Sequence, residues 1–105
     1  MIYELRIYHM NPGKMEAIHR RFEERMFTLL DRHGIRVIDF YNDAEGRETI
    51  YYICEFESRE AQSAAWKALF ADPEFMEVAR KYDEDGPIMK SHESYTMERD
   101  DFFRR

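Results

Sequence analysis

The chain has 105 residues, room for a single domain, and its 44% hydrophobic and 36% charged composition excludes the low-hydrophobicity pattern of disorder. The balance of 16 basic against 22 acidic residues gives a net charge of −6, which argues against general nucleic-acid binding, where clustered cations must displace counterions from phosphate. A single cysteine, Cys54, excludes an internal disulfide or a cysteine-cluster metal site, and no apolar run outlasts residues 50–54, too short to cross a membrane.

Residues 2–10 alternate like a strand, with Tyr3, Leu5, Ile7 and His9 on one face and Ile2, Glu4, Arg6, Tyr8 and Met10 on the other. Asn11-Pro12 reads as a helix start, asparagine as cap and proline at the first helical position. Met15, Ile18, Phe22, Met26, Leu29 and Leu30 then recur at helical spacing, predicting an amphipathic helix of about five turns. Arg20, Arg21, Glu23, Glu24 and Arg25 fall mostly off that stripe. His33-Gly34 ends it, the glycine free to take a left-handed capping conformation. Strands are expected over residues 35–41 and 48–56, joined as a hairpin by the turn cluster 42–46. Ser58 is placed to cap a helix over 59–70, and Asp72-Pro73 repeats the cap-plus-proline signal for a shorter helix. Asp83-Glu84-Asp85-Gly86-Pro87 breaks that helix. Residues 89–97 read as a weaker strand and 99–105 as a charged tail, leaving residues 1–98 as one domain.

The order β-α-β-β-α-β predicts an α+β fold of the ferredoxin-like kind, with a four-stranded antiparallel sheet and its helices on one face. The other face is expected to carry Ile2, Tyr8, Met10 and residues around Tyr51 and Tyr52. Such a face is too apolar for water, and a second copy of the chain is the simplest cover, so a homodimer is expected. Sixteen aromatic residues and seven methionines on so small a chain point the same way, to a partner or a pocket.

Several stretches resemble the NIPSNAP family. They are Tyr3-Glu4-Leu5-Arg6 with Tyr8 and Pro12-Gly13-Lys14, then Phe56-Glu57-Ser58, Ala65-Trp66, Leu69-Phe70 and Asp72-Pro73-Glu74-Phe75. Gly86-Pro87-Ile88 and Glu93-Ser94 complete the series, which spans nearly the whole chain. The resemblance implies a dimeric α+β barrel in which two ferredoxin-like units join sheet to sheet, with no assigned reaction. Relatives of that fold include cofactor-independent quinone-forming monooxygenases and haem-degrading enzymes. The haem-degrading constellation combines a helix tryptophan with an asparagine on the first strand and a histidine beyond the tryptophan. Here only Trp66 is present, since residues 2–10 hold no asparagine and residues 73–85 no histidine.

Among candidate groups, Glu4, Arg6 and Tyr8 share a strand face and are read as a polar network in the barrel interior. That network either grips a carboxylate or phenol or is a self-contained ion pair. Four histidines offer no helical metal pair, so no metal or cofactor is expected. His9 and His92 fall on neighbouring strands, where the two imidazoles are expected close together, with His92 the candidate general base. Cys54 alternates with Tyr52 and Phe56 and reads as core rather than nucleophile. No glycine-rich phosphate loop or nucleophile elbow is present, which leaves nucleotide-dependent chemistry and serine hydrolysis without support.

The functional expectation is therefore a small aromatic or apolar ligand held between sheet and helices by Leu5, Ile7, Tyr52, Trp66, Phe70 and His92. The alternatives are a cofactor-independent monooxygenase-like enzyme and a non-catalytic interaction scaffold. With no basic segment leading into an apolar one at the N-terminus, a cytoplasmic location without a signal peptide is expected.

Overall fold

The computed structural model describes residues 1–103, so the end of the predicted tail, residues 104–105, lies outside the described residues. Strand β1 (Ile2–Met10) is followed by α1 (Met15–Arg21), a π-helical turn (Phe22–Met26) and α2 (Phe27–Arg32) in unbroken succession. Strands β2 (Arg36–Asn42) and β3 (Thr49–Phe56) form the hairpin, helices α3 (Arg59–Ala71) and α4 (Pro73–Tyr82) follow, and β4 (Met89–Met97) closes the chain. The sheet order is β2-β3-β1-β4, every pair antiparallel, which is the expected α+β, ferredoxin-like arrangement.

Local chemistry explains most of the boundaries. Ser58 Oγ accepts the Ala61 N–H at 3.0 Å and Asp72 Oδ1 accepts the Glu74 N–H at 2.9 Å, each satisfying a donor that the first turn leaves free. Gly34, at φ +76°, turns the chain out of α2 while the Ile35 N–H bonds back to the Leu30 carbonyl at 2.9 Å. Asn11 does not cap a helix. Residues 11–14 form a turn, the Asn11 side chain donates to the Pro87 carbonyl at 2.9 Å, and the helix begins only at Met15.

The first helix also departs from regular geometry. Ile18, Phe22, Met26 and Leu30 are all buried at steps of four residues, and each such step overshoots a turn of 3.6 residues by about 40°. The wider turn at Phe22–Met26 gives back part of that drift and keeps the row facing the sheet.

The core lies between that row, Leu69 and Val78 of α3 and α4, and the sheet residues Tyr8, Met10, Ile50, Tyr52, Cys54 and Phe56. Each fully buried large side chain contributes about 1.5–3 kcal/mol. The two sheet faces are therefore the reverse of the sequence expectation. Ile2, Tyr8 and Met10 lie under the helices, and the bare face carries Tyr3, Leu5 and Ile7 with their cross-strand neighbours Ile53, Tyr51, Tyr95 and Met97. The reason is that Glu4 and Arg6, expected in a network on the face away from the helices, form a largely buried ion pair on the helix side.

Candidate functional site

The helix-facing side of β1 places Glu4, Arg6 and Tyr8 in a row, because alternate residues of a strand share a face. Register then sets Tyr52 of β3 beside Arg6 and His92 of β4 beside Tyr8. Arg6 is the hub. Its Nη1 donates to Glu4 Oε2 at 2.8 Å, its Nε to the Tyr52 hydroxyl at 3.1 Å, and its guanidinium lies 4.4 Å from the centre of the Trp66 ring. The Tyr8 and Tyr52 hydroxyls are 2.6 Å apart. Glu4 is itself fully engaged, its Oε1 accepting from Gln62 Nε2 at 2.8 Å and from Trp66 Nε1 at 2.7 Å.

Burial opposes the Arg6 charge, but the facing Tyr8 and Tyr52 hydroxyls and Glu4 outweigh it and hold the guanidinium pKa above its ordinary value. Burial, reinforced by Tyr8, pushes the Tyr52 hydroxyl well above its ordinary range against the pull of Arg6. Tyr52 is thus a neutral hydroxyl, able to donate or accept. Cys54, one step further along β3, is buried and its thiol is pushed up to about 12, chiefly by desolvation and next by the charge of Glu4. A thiol held in that state is no nucleophile.

Above this polar floor is a cavity of about 260 Å³, just below the range of roughly 300–1,000 Å³ usual for small-molecule sites. Its floor is Arg6, Tyr8, Tyr52 and His92; its walls include Trp66, Phe70, Phe75, Phe22, Met26 and Arg21. Trp66 and Phe70 are stacked with ring centres 5.9 Å apart, and Phe70 tilts against Phe75 at 5.6 Å. The His92 ring stands edge-on to Tyr8 at 6.2 Å.

Of the residues expected at a ligand pocket, Tyr52, Trp66, Phe70 and His92 meet at this cavity. Leu5 and Ile7 do not. They pair with Ile53 and Tyr51 on the bare face, on the far side of the sheet. The Glu4, Arg6 and Tyr8 network sits inside the protomer under α3 rather than between two sheets. His9 and His92 are likewise separated, because His92 is in register with Tyr8 and His9 with Ser91, one residue on, which puts the two imidazoles on opposite faces. His9 instead lies between Thr49 Oγ1 at 3.1 Å and Glu93 Oε2 at 2.6 Å.

Two participants escaped the sequence reading. Gln62 supplies one of the donors that hold Glu4, and nothing distinguishes it from any polar residue on an amphipathic helix. Arg21 sits among charged neighbours in the sequence, yet it is buried and lines the cavity. Its only sequence signal is its place between Ile18 and Phe22 of the buried row.

A ferredoxin-like sheet carrying an aromatic, arginine-floored cavity under its helices defines the class, a small α+β domain with a cavity between its two layers. The chain belongs to the NIPSNAP family, whose model matches residues 3–101. No curated protein matches the sequence. A NIPSNAP domain protein from Burkholderia xenovorans superposes with a TM-score of 0.86 at 16% identity, over 100% of each chain. A NIPSNAP-like domain protein from the same organism reaches 0.85 at 22% identity, over 99% of this chain and 89% of that one. The fold extends further, to a putative antibiotic biosynthesis monooxygenase from Nitrosomonas europaea, at a TM-score of 0.66 and 12% identity, over 93% and 97% of the two chains. At such identities the likeness concerns the fold, and fold does not choose the chemistry.

Proposed function

We propose that this protein binds a small aromatic ligand in the cavity between sheet and helices, and that it does so as a homodimer joined through the bare sheet face. The observation that carries the reading is the cavity itself, with the stacked Trp66 and Phe70 on its wall and Arg6 and two tyrosine hydroxyls on its floor. Apolar walls around a few convergent polar groups are the ordinary composition of a small-molecule site. A solid interior would have supported the scaffold alternative instead.

Trp66 is the only tryptophan in the chain and lines the cavity, so its fluorescence reports occupancy. Titration with naphthamide, a neutral planar aromatic, is expected to quench it saturably. Absence of saturation, in a protein whose circular dichroism shows the fold intact, would overturn the reading.

A second reading, catalysis without a cofactor, draws support from the likeness to the monooxygenase fold and from His92 beside the two tyrosines. His92 would take the phenolic proton of a bound naphthol-like substrate. Dioxygen would then accept the electrons. One oxygen atom enters the ring as the second quinone carbonyl, and the other leaves as water with the ring and phenolic hydrogens. Oxygen uptake with naphthol above the protein-free rate, abolished in His92→Ala, is the expected result. Uptake unchanged by that substitution removes His92 from the mechanism.

A further inference from the structure

We propose that Arg21 anchors the ligand's headgroup, and that the cavity takes an aromatic monocarboxylate with its ring against the Trp66 wall and its carboxylate on the Arg21 guanidinium. This rests on the ligand-binding reading above and gives it a substrate class.

Arg21 is only 8% exposed, and its Nε is buried without a hydrogen-bond partner among the described residues. No carboxylate among those residues lies within ion-pair distance of it, whereas Arg6, which lines the same cavity, is matched by Glu4, Tyr8 and Tyr52. A buried guanidinium cannot shed its proton to escape the cost of desolvation, as a lysine would. An uncompensated buried charge is among the most destabilising features a fold can carry, so a position that keeps one is expected to meet its counter-ion elsewhere.

The described residues offer no internal substitute. Asp83 is the one carboxylate on the cavity wall, but it is exposed and its Oδ1 already accepts the Ile88 N–H at 3.1 Å. Glu4 already accepts from three donors, one of them Arg6. The π turn that begins at Phe22 follows Arg21 directly, and Phe22 and Met26 of that turn line the same cavity. Such wide turns recur where a helix must aim side chains into a site. A guanidinium presents parallel N–H groups that match the two oxygens of a carboxylate. One unmatched cation in a small apolar space calls for one negative charge, and aromatic walls call for a flat hydrocarbon body.

The test compares naphthoate with naphthamide, isosteres that differ in the charge of the headgroup, by quenching of Trp66. Naphthoate is expected to bind the wild type about tenfold or more tightly than the amide, a difference worth about 1.4 kcal/mol. Arg21→Gln is expected to erase that gap, and Arg21→Lys to restore part of it. Without ligand, Arg21→Gln is expected to raise the melting temperature, since it removes an unmatched buried charge. A structural role in holding the helix would lower it. Equal affinity for acid and amide in the wild type, or a gap that survives Arg21→Gln, overturns the anchor and leaves the aromatic pocket standing. Failure of both probes to saturate overturns both. Should the glutamine variant not fold, the wild-type ratio and the lysine variant decide the matter.

Discussion

At the scale of single residues, Glu4 is the side chain on which the site depends most. It accepts from Arg6, Gln62 and Trp66, tying together β1 and α3. Glu4→Ala would strand all three donors and leave Arg6 with only tyrosine hydroxyls. Breaking one side of a buried pair costs about 3–5 kcal/mol, while replacing both sides with apolar groups is often near neutral. Urea denaturation followed by circular dichroism should therefore show Glu4→Ala strongly destabilised and Glu4→Ala/Arg6→Met less so. If the double variant were at least as unstable as the single one, the pair would not be the unit that matters. The same residues explain a misreading of the sequence. A glutamate and an arginine two apart on a strand mark one face of it, and an ion pair enclosed between two sheets has the same local spelling as one beneath the helices. Both faces of β1 are apolar enough to pack, so alternation gave the two sets of residues correctly but not which set meets the helices.

At the scale of elements, caps and periodicity were legible because they are local. Ser58, Asp72-Pro73 and Gly34 each act within a few residues of themselves, and β4 was readable end to end at Met89–Met97. The π turn was not legible, because the four-residue spacing of Ile18, Phe22, Met26 and Leu30 reads equally well as a regular amphipathic helix, and Arg21 beside it falls off that apolar stripe. The β2–β3 hairpin offers a quantitative test at this scale. Asp43 accepts from the Tyr51 hydroxyl at 2.6 Å, from Arg47 Nη1 at 2.9 Å and from the backbone N–H of Glu45 at 2.8 Å. The Tyr51 bond first, then Arg47 and the backbone donors, hold its pKa far below the ordinary carboxylate range against a smaller effect of burial. A carboxyl depressed in the folded state binds fewer protons than in the unfolded chain. Its stabilisation is present above the unfolded value of about 3.9 and is lost as pH falls below it. Asp72, held down by His33, and Glu93, held down by His9, act with the same sign. The urea midpoint should thus drop as pH falls from about 5 toward 2, and drop less in Asp43→Asn. Parallel curves for the two proteins would remove Asp43 from the acid response.

At the scale of the whole molecule, the bare sheet face decides what the protein is in solution. Tyr95 is 52% exposed, Tyr41 49% and Ile38 40%, and they adjoin half-buried Tyr3, Leu5, Ile7 and Ile53. A contiguous apolar surface of this kind is uncommon on a protein that works alone. The His9–Glu93 pair lies on the same face and would supply a polar boundary. Ile7 belongs to β1, flanked by strands on both sides, and it stands outside the protomer's core, so a charge there should trouble the assembly without troubling the fold. Light scattering on the wild type is expected to give twice the chain mass. Ile7→Lys is expected to weaken association about 30-fold or more, the loss of roughly 2 kcal/mol typical of a central interface residue, with unchanged circular dichroism. The cavity is built from one chain and opens on the other side of the sheet, so the dissociated variant should still show saturable quenching of Trp66 by naphthamide. Loss of quenching on dissociation would mean that the two layers communicate through the sheet, and the pocket would then have to be reckoned a property of the dimer. A wild-type monomer would leave the face to a different partner, while the ligand site beneath the helices would stand or fall on its own titration.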